Sequence, residues 1–334
     1  MPEFMSDLSM QIEFENWPLA KPFVIARGSK TQAGVVTVIL TEGHKLGRGE
    51  CVPYARYGES AASVIGQIEA MRGAIEGGMG RAELQEAMPA GAARNALDCA
   101  LWDLASKRDG KDVYERLGFE IPVSVPSVQT ISVGTPKEMR KEAASLRRFP
   151  VIKIKLDAER VLERTEAVHL GAPNAELIID ANESWSIDLL EQVAPGLAAL
   201  NVVMIEQPLK ADDDQKLAGY ASPVPLGADE SCHTADDLDR LQECYQYINI
   251  KLDKTGGLTE ALKMQSRARG MGYGIMVGSM VSTSLALAPA VILALDADYV
   301  DLDSPSLLAE DRPHAMTLQN GRLADIDSRL WGGA

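Results

Sequence analysis

From about residue 121 the chain settles into one repeating pattern: a short apolar run, a helix-like segment, then the next run. The runs are Val123–Ile131, Val151–Leu156, Glu176–Ile179, Val202–Ile205, Val224–Leu226, Tyr247–Ile250, Tyr273–Val277 and Tyr299–Leu302. Several intervening segments open with helix-start chemistry. Thr135-Pro136-Lys137-Glu138 offers a capping hydroxyl, a proline at the first helical position and a glutamate at the third. Thr234-Ala235-Asp236-Asp237 offers a threonine cap and acids near the positive helix end. Eight strand–helix units of one period predict an α/β fold, a (β/α)8-type barrel. An open doubly wound sheet would normally carry a glycine-rich phosphate turn after its first strand, and this chain has none.

The first 120 residues read differently. Val35–Leu40 is β-branched and runs into Thr41-Glu42-Gly43-His44, a turn composition. Residues 60–76 and 92–109 have helical character. In the second, Ala93, Ala96, Leu97, Ala100, Leu101 and Leu104 recur at three- and four-residue steps, with Gly110 as a stop. The expected organisation is an α+β unit over 1–120, the barrel over 121–305 and a C-terminal segment over 306–334.

In such a barrel the chemistry lies at the C-terminal strand ends. Here those ends read Lys153-Ile154-Lys155, Asp180-Ala181-Asn182, Glu206-Gln207-Pro208, Asp229-Glu230-Ser231, Lys251-Leu252-Asp253, Gly278-Ser279-Met280 and Asp301-Leu302-Asp303. Lys155, Asp180, Glu206, Asp229 and Lys251 follow one another at 25, 26, 23 and 22 residues. That spacing is about one unit each and brings them into phase around one rim. One strand-end acid commonly caps the next helix. Three acids on neighbouring strands, Asp180, Glu206 and Asp229, repel one another unless a cation holds them. An oxygen-only set suits Mg²⁺ ahead of Ca²⁺ or Mn²⁺. The net charge of −15 accords with carboxylates to spare and argues against nucleic-acid or anionic-membrane partners.

Lys155 and Lys251 lie four strands apart, so in a closed ring they face each other across the mouth. Lys153 shares the face of Lys155. Close ammonium groups beside a divalent ion lower a lysine's pKa from about 10.4. A lysine tuned to about 7–8 serves as a general base near neutral pH.

These strand-end motifs together resemble the enolase superfamily, muconate-lactonizing subgroup, whose sites pair a lysine or histidine base with one or two Mg²⁺ ions. Asp301-Leu302-Asp303 narrows the resemblance to the dipeptide epimerases. So do Lys21–Ser29, Tyr54–Ser60, Pro89–Asp98 and Lys251–Gly257. The resemblance covers nearly the whole chain and is weakest after about residue 310. It implies a front domain that caps the barrel, with lid loops near 21–31 and 53–60, and a C-terminal segment returning to that cap. It implies one Mg²⁺ per subunit on Asp180, Glu206 and Asp229. Lys155 would serve the (R) isomer and Lys251 the (S) isomer. Lys153 would bind the reacting carboxylate, and Asp301 and Asp303 the free α-ammonium of a small dipeptide. Thr130 and Ser279 are candidates for further substrate hydrogen bonds. Arg27, Lys30 and Arg56 are candidates to meet a side-chain carboxylate. The implied reaction is epimerisation of the glutamyl α-carbon of L-Ala-D/L-Glu in peptidoglycan-peptide recycling.

Other readings stay open: a different dipeptide, an N-acylamino-acid racemase or cycloisomerase on the same scaffold, a Schiff-base lyase, or a barrel without catalysis. Four cysteines without CxxC spacing read as reduced thiols. Met1–Trp17 carries Glu3, Asp7, Glu13 and Glu15 and no basic, apolar leader pattern, so a cytoplasmic location is expected. No run approaches the ~18 apolar residues of a membrane span. Whether the chain forms a homo-oligomer is left open.

Overall fold

The computed structural model describes residues 8–25 and 28–334. Leu8–Ile25, Gly28–Glu42 and Lys45–Cys51 form an antiparallel meander. The meander packs on the helix Ala92–Asp109. Two glycines allow the close approach. A Cβ at Gly49 would lie 2.1 Å from the Ala96 carbonyl oxygen, and one at Gly47 would lie 2.5 Å from that of Ala100. Apolar residues at helical spacing, Ala93, Ala96, Leu97, Ala100 and Leu104, meet Val36, Val38 and Leu40 in a core of their own. The helix ends where Gly110 turns left-handed, at φ 65°, and its N–H bonds Ser106 O.

The second part is a parallel eight-stranded sheet with strands in chain order. The barrel strands are Gln129–Ile131, Val151–Lys155, Glu176–Asp180, Val202–Glu206, Leu226–Ala228, Tyr247–Lys251, Gly274–Gly278 and Tyr299–Asp301. The Val128 N–H donates to Val300 O at 2.8 Å, and the Leu302 N–H donates to Ser127 Oγ at 3.1 Å. These bonds bring the eighth strand back to the first, so the sheet is a (β/α)8-type barrel. The continuous apolar character of its strands follows from burial on both faces.

Details differ from the sequence reading. The helix read over 60–76 breaks at Met71, and the segment after Thr234 is a 3-10 turn followed by the four-residue helix Leu238–Leu241. The run 123–131 divides: Ser124–Pro126 leaves the barrel and pairs with Arg322–Ala324. The fourth connection is a 3-10 helix, Ala211–Leu217, because its start, Asp212-Asp213-Asp214, is rich in residues that favour turns over helix interior. The eighth strand is followed by only a four-residue helix, Ser304–Leu307. The Thr135 cap forms with its reciprocal Glu138 bond.

The last residues run back against the front sheet. Arg312 Nη2 reaches Glu50 Oε2 at 2.7 Å and Glu15 Oε2 at 2.5 Å. The Gly332 N–H donates to Asp103 Oδ1 at 2.7 Å, and Trp331 Nε1 donates to Cys99 O. Cys51, Cys99, Cys232 and Cys244 are all free and buried. Among the described residues no helix is long and apolar enough to cross a membrane.

Candidate active site

Parallel register carries the charged strand ends to one level. Lys155 stands beside Asp180, Asp180 beside Glu206, and Gly278 beside both Lys251 and Asp301. A cavity of about 460 Å³ opens at this level. Its barrel wall includes Thr130, Lys155, Asp229, Lys251, Ser279, Asp301 and Asp303. Its outer wall comes from the front part: Phe23, Ser29, Lys30, Tyr54, Arg56 and Tyr57.

Asp180, Glu206 and Asp229 are buried and converge. One oxygen from each lies within 4.8 Å of the others. An all-oxygen set of this charge fits a hard divalent cation. Several ammonium groups already turn toward it, so this place in the fold is built for positive charge. Lys155 pairs with Asp180. Lys251 Nζ lies 2.6 Å from Asp229 Oδ2. Burial works to raise the Asp180 carboxyl, but Lys153 and Lys155 outweigh it and hold the group well below the carboxylate range. Asp229 is held low in the same way by Lys251 and Lys254. Burial and then the charge of Asp180 push Glu206 up to about 7, with Lys153 opposing. Burial works to lower Lys251, but Asp229 and Glu206 outweigh it and raise its pKa. Lys155 and Lys251 both line the cavity from strands two and six, opposite positions in the ring.

Lys153 lies on the same strand as Lys155, two residues earlier. Two residues back along a strand is roughly 6.6 Å, and its side chain is 0% exposed. Its ammonium lies 2.7 Å from Asp301 Oδ2, 2.6 Å from Glu206 Oε2 and 3.0 Å from Asp180 Oδ2. Its ammonium thus shares Asp180 Oδ2 with Lys155 and touches Asp301, which lines the cavity. Asp301 and Asp303 both reach the cavity. Asp303 Oδ2 accepts the Thr130 backbone N–H at 2.8 Å, and the Thr130 side chain also hydrogen-bonds this aspartate. Burial and then Asp301 push Asp303 up to about 6. Arg56 lines the cavity but is paired with Glu183. The Lys30 ammonium lies 5.2 Å from the Tyr54 ring centroid. Arg27 lies outside the described residues.

Two supporting groups went unremarked in the sequence. Lys254 is fully buried and spends its three N–H donors on Asp229 Oδ1, Asp229 O and Asn249 O, at 2.7, 2.5 and 2.8 Å. Gln207 Oε1 accepts the backbone N–H groups of Asp229 and Ser231. Their sequence signal was position alone: three residues past Lys251 and one past Glu206.

Residues 8–118 match the family described as mandelate racemase / muconate lactonizing enzyme, N-terminal domain, and residues 138–326 the enolase C-terminal domain-like family. The chain is 47% identical over 311 residues to an L-Ala-D/L-Glu epimerase of Escherichia coli K12, spanning 92% of this chain and 97% of that one. It is 46% identical over 302 residues to an N-acetyl-D-glutamate racemase of a Pseudoalteromonas species, spanning 90% and 96%. A solved structure from Agrobacterium tumefaciens superposes with a TM-score of 0.95 at 45% identity, over 97% of this chain and all of that one. It is described as an enolase family member with homology to dipeptide epimerases, with sodium and L-Ala-L-Glu bound.

Proposed function

Since the chain belongs to the mandelate racemase / muconate lactonizing enzyme family, with its enolase-type barrel, we propose that it is a dipeptide epimerase acting at the glutamyl α-carbon of L-Ala-D/L-Glu. The observation that carries this reading is the pair of lysines, Lys155 and Lys251, entering one cavity from opposite strands while Asp301 and Asp303 enter it between them and the first strand.

Inverting a carbon through a planar intermediate needs a proton removed from one face and another returned to the opposite face. Lys155 would act on the face presented by the (R) isomer, and Lys251 on that of the (S) isomer. Asp180, Glu206 and Asp229 would hold Mg²⁺, which when bound supplies positive charge against the developing enediolate and offsets the carboxylates that raise Lys251. Lys153, already ion-paired with Asp180, Glu206 and Asp301, would bind the reacting carboxylate. Asp301 and Asp303 would receive the dipeptide's α-ammonium, and Ser279 and Thr130 flank that end. The front part, residues 1–120, would act as a cap whose segments near 21–31 and 53–60 exclude water on closure. Peptides released from peptidoglycan are the proposed source of substrate, met in the cytoplasm.

The 46% identical N-acetylglutamate racemase keeps a second reading in view. An N-acetyl group carries no charge, so two carboxylates beside it would lose their partner. Conversion of L-Ala-L-Glu to L-Ala-D-Glu, followed by chiral chromatography against N-acetyl-L-glutamate, decides between them. The dipeptide is expected to turn over at least tenfold more efficiently; preference for the N-acetyl substrate overturns the assignment.

A further inference from the structure

Two neighbouring residues of the front part are fastened to two different barrel loops. Arg56 Nε and Nη2 donate to Glu183 Oε2 and Oε1, each at 2.6 Å, a bidentate fork. The next residue, Tyr57, sets its ring edge-on to the His233 ring, with centroids 4.5 Å apart at 71°. Glu183 lies three residues after Asp180, and His233 four residues after Asp229. The segment that carries Arg56 and Tyr57 thus straddles the loops that follow two of the three converging acids.

We propose that Arg56 is a positioning residue, which with Glu183 latches the 53–60 segment over the cavity, and is not a receptor for the substrate's side-chain carboxylate. The proposal rests on the reading of this cavity as the dipeptide site.

Both ends of the latch are braced. On the barrel side, Asn182 and Glu183 take left-handed backbone conformations, at φ 44° and 66°, unusual for side chains other than glycine. The turn is held by the Asn182 N–H on Asp180 Oδ1 at 3.0 Å and the Glu183 N–H on Gln207 O at 2.9 Å. It points the Glu183 carboxylate away from the acids toward Arg56. The Ala211 N–H also donates to that carboxylate at 3.1 Å. On the front side, Gly58 closes the 3-10 turn Ala55–Tyr57 at φ 76°. Glu59 then accepts the N–H of Tyr54 at 3.0 Å and that of Ala92 at 2.9 Å. The Glu183 side chain is 7% exposed and that of Arg56 is 39% exposed. A carboxylate so desolvated loses much when its charged partner goes, so the pair has a closed state worth keeping. The fork sets the orientation of the Arg56 guanidinium plane from the barrel side.

The test compares the intact enzyme with Arg56→Met, Glu183→Gln and the swap Arg56→Glu/Glu183→Arg. Backbone hydrogen exchange over residues 53–60 is read by mass spectrometry without substrate. KM and kcat are read on L-Ala-L-Glu and L-Ala-L-Gln. Exchange over 53–60 is expected to quicken about tenfold in both single variants and to slow again in the swap. KM is expected to rise about tenfold for both dipeptides while kcat moves much less. Glu183→Gln keeps the heavy-atom count and guards against a folding artefact. Unchanged exchange in either single variant overturns the proposal. So does an Arg56→Met defect confined to L-Ala-L-Glu with Glu183→Gln normal, which would make Arg56 a substrate receptor. If the intact enzyme turns over neither dipeptide, the functional reading fails while the exchange result still judges the latch.

Discussion

Lys153 Nζ and Asp301 Oδ2 stand 2.7 Å apart, tying the second barrel strand to the eighth across the first. The same ammonium holds Glu206 and Asp180, so one fully buried cation gathers carboxylates from three strands. Removing one partner of a buried pair leaves charge that neither water nor protein satisfies. Lys153→Met is therefore expected to destabilise the fold by about 3–5 kcal/mol. Urea denaturation measures this; a loss below about 1 kcal/mol would contradict it.

Replacing either flanking lysine should separate the two half-reactions. Lys155→Ala and Lys251→Ala are each expected to lose epimerisation by a factor of roughly 10³ or more. Each should retain exchange of the α-hydrogen with solvent for one isomer only, the opposite isomer in the two variants. NMR in D₂O reads this directly. Full epimerisation by either variant removes that lysine from the mechanism.

Legibility followed how much each feature depended on strand position. Asp180, Glu206 and Asp229 were readable because barrel strands deliver their last residues to one rim, and 22–26-residue spacing is the trace of that delivery. Lys153 could be placed on the face of Lys155, but its ion pair with Asp301, 148 residues away, could not be read, since alternation gives side and not partner. Thr130 was readable as a neighbour of the site, but its partner Asp303, 173 residues away, was not. Arg56 was readable as a charge near the mouth. Its partner, 127 residues away, was not, because the left-handed turn at Asn182–Glu183 has no glycine to announce it. Lys254 lay within the segment Lys251–Gly257, but its partners, Asp229 and Asn249, became visible only in the fold.

A buried acid away from the chemistry gives a stability signature. Asp253 accepts the N–H of Val52 at 3.0 Å and Asn95 Nδ2 at 2.8 Å, both on Oδ1. Burial pushes its carboxyl up to about 7 from 3.8. The folded form therefore binds a proton between those values that the unfolded chain has released. The ionised group costs stability above about pH 7, and that cost fades as pH falls toward 4. Asp253→Asn keeps the accepting oxygen without the charge. It should be more stable than the parent at pH 8, by about 1–3 kcal/mol, with the gap closing by pH 5. Denaturation at the two values checks it; a gap that widens at pH 5 has the wrong sign.

Substrate capture should carry its own pH dependence. With Asp303 raised to about 6, its charge is lost as pH falls through that value. KM for a dipeptide with a free ammonium is expected to climb below pH 6, and Asp303→Asn should flatten that limb by raising KM above pH 6 to the parent's low-pH level. A parent KM constant from pH 5 to 8 would remove Asp303 from ammonium binding.

Metal dependence separates this chemistry from a Schiff-base route. Dialysis against EDTA should abolish activity and Mg²⁺ restore it, while borohydride with substrate should trap no adduct on a lysine. Activity that survives EDTA, or a trapped adduct, favours the lyase reading.

The sharpest measurement follows where the new α-hydrogen comes from. When L-Ala-L-Glu is converted in D₂O with Mg²⁺ present, L-Ala-D-Glu isolated at early times should carry deuterium at the glutamyl α-carbon in nearly every molecule. The lysine that delivers it is not the one that took the original proton, and it has already exchanged with solvent. Product that keeps its protium would mean one base working both faces and would contradict the account, as would the absence of any conversion.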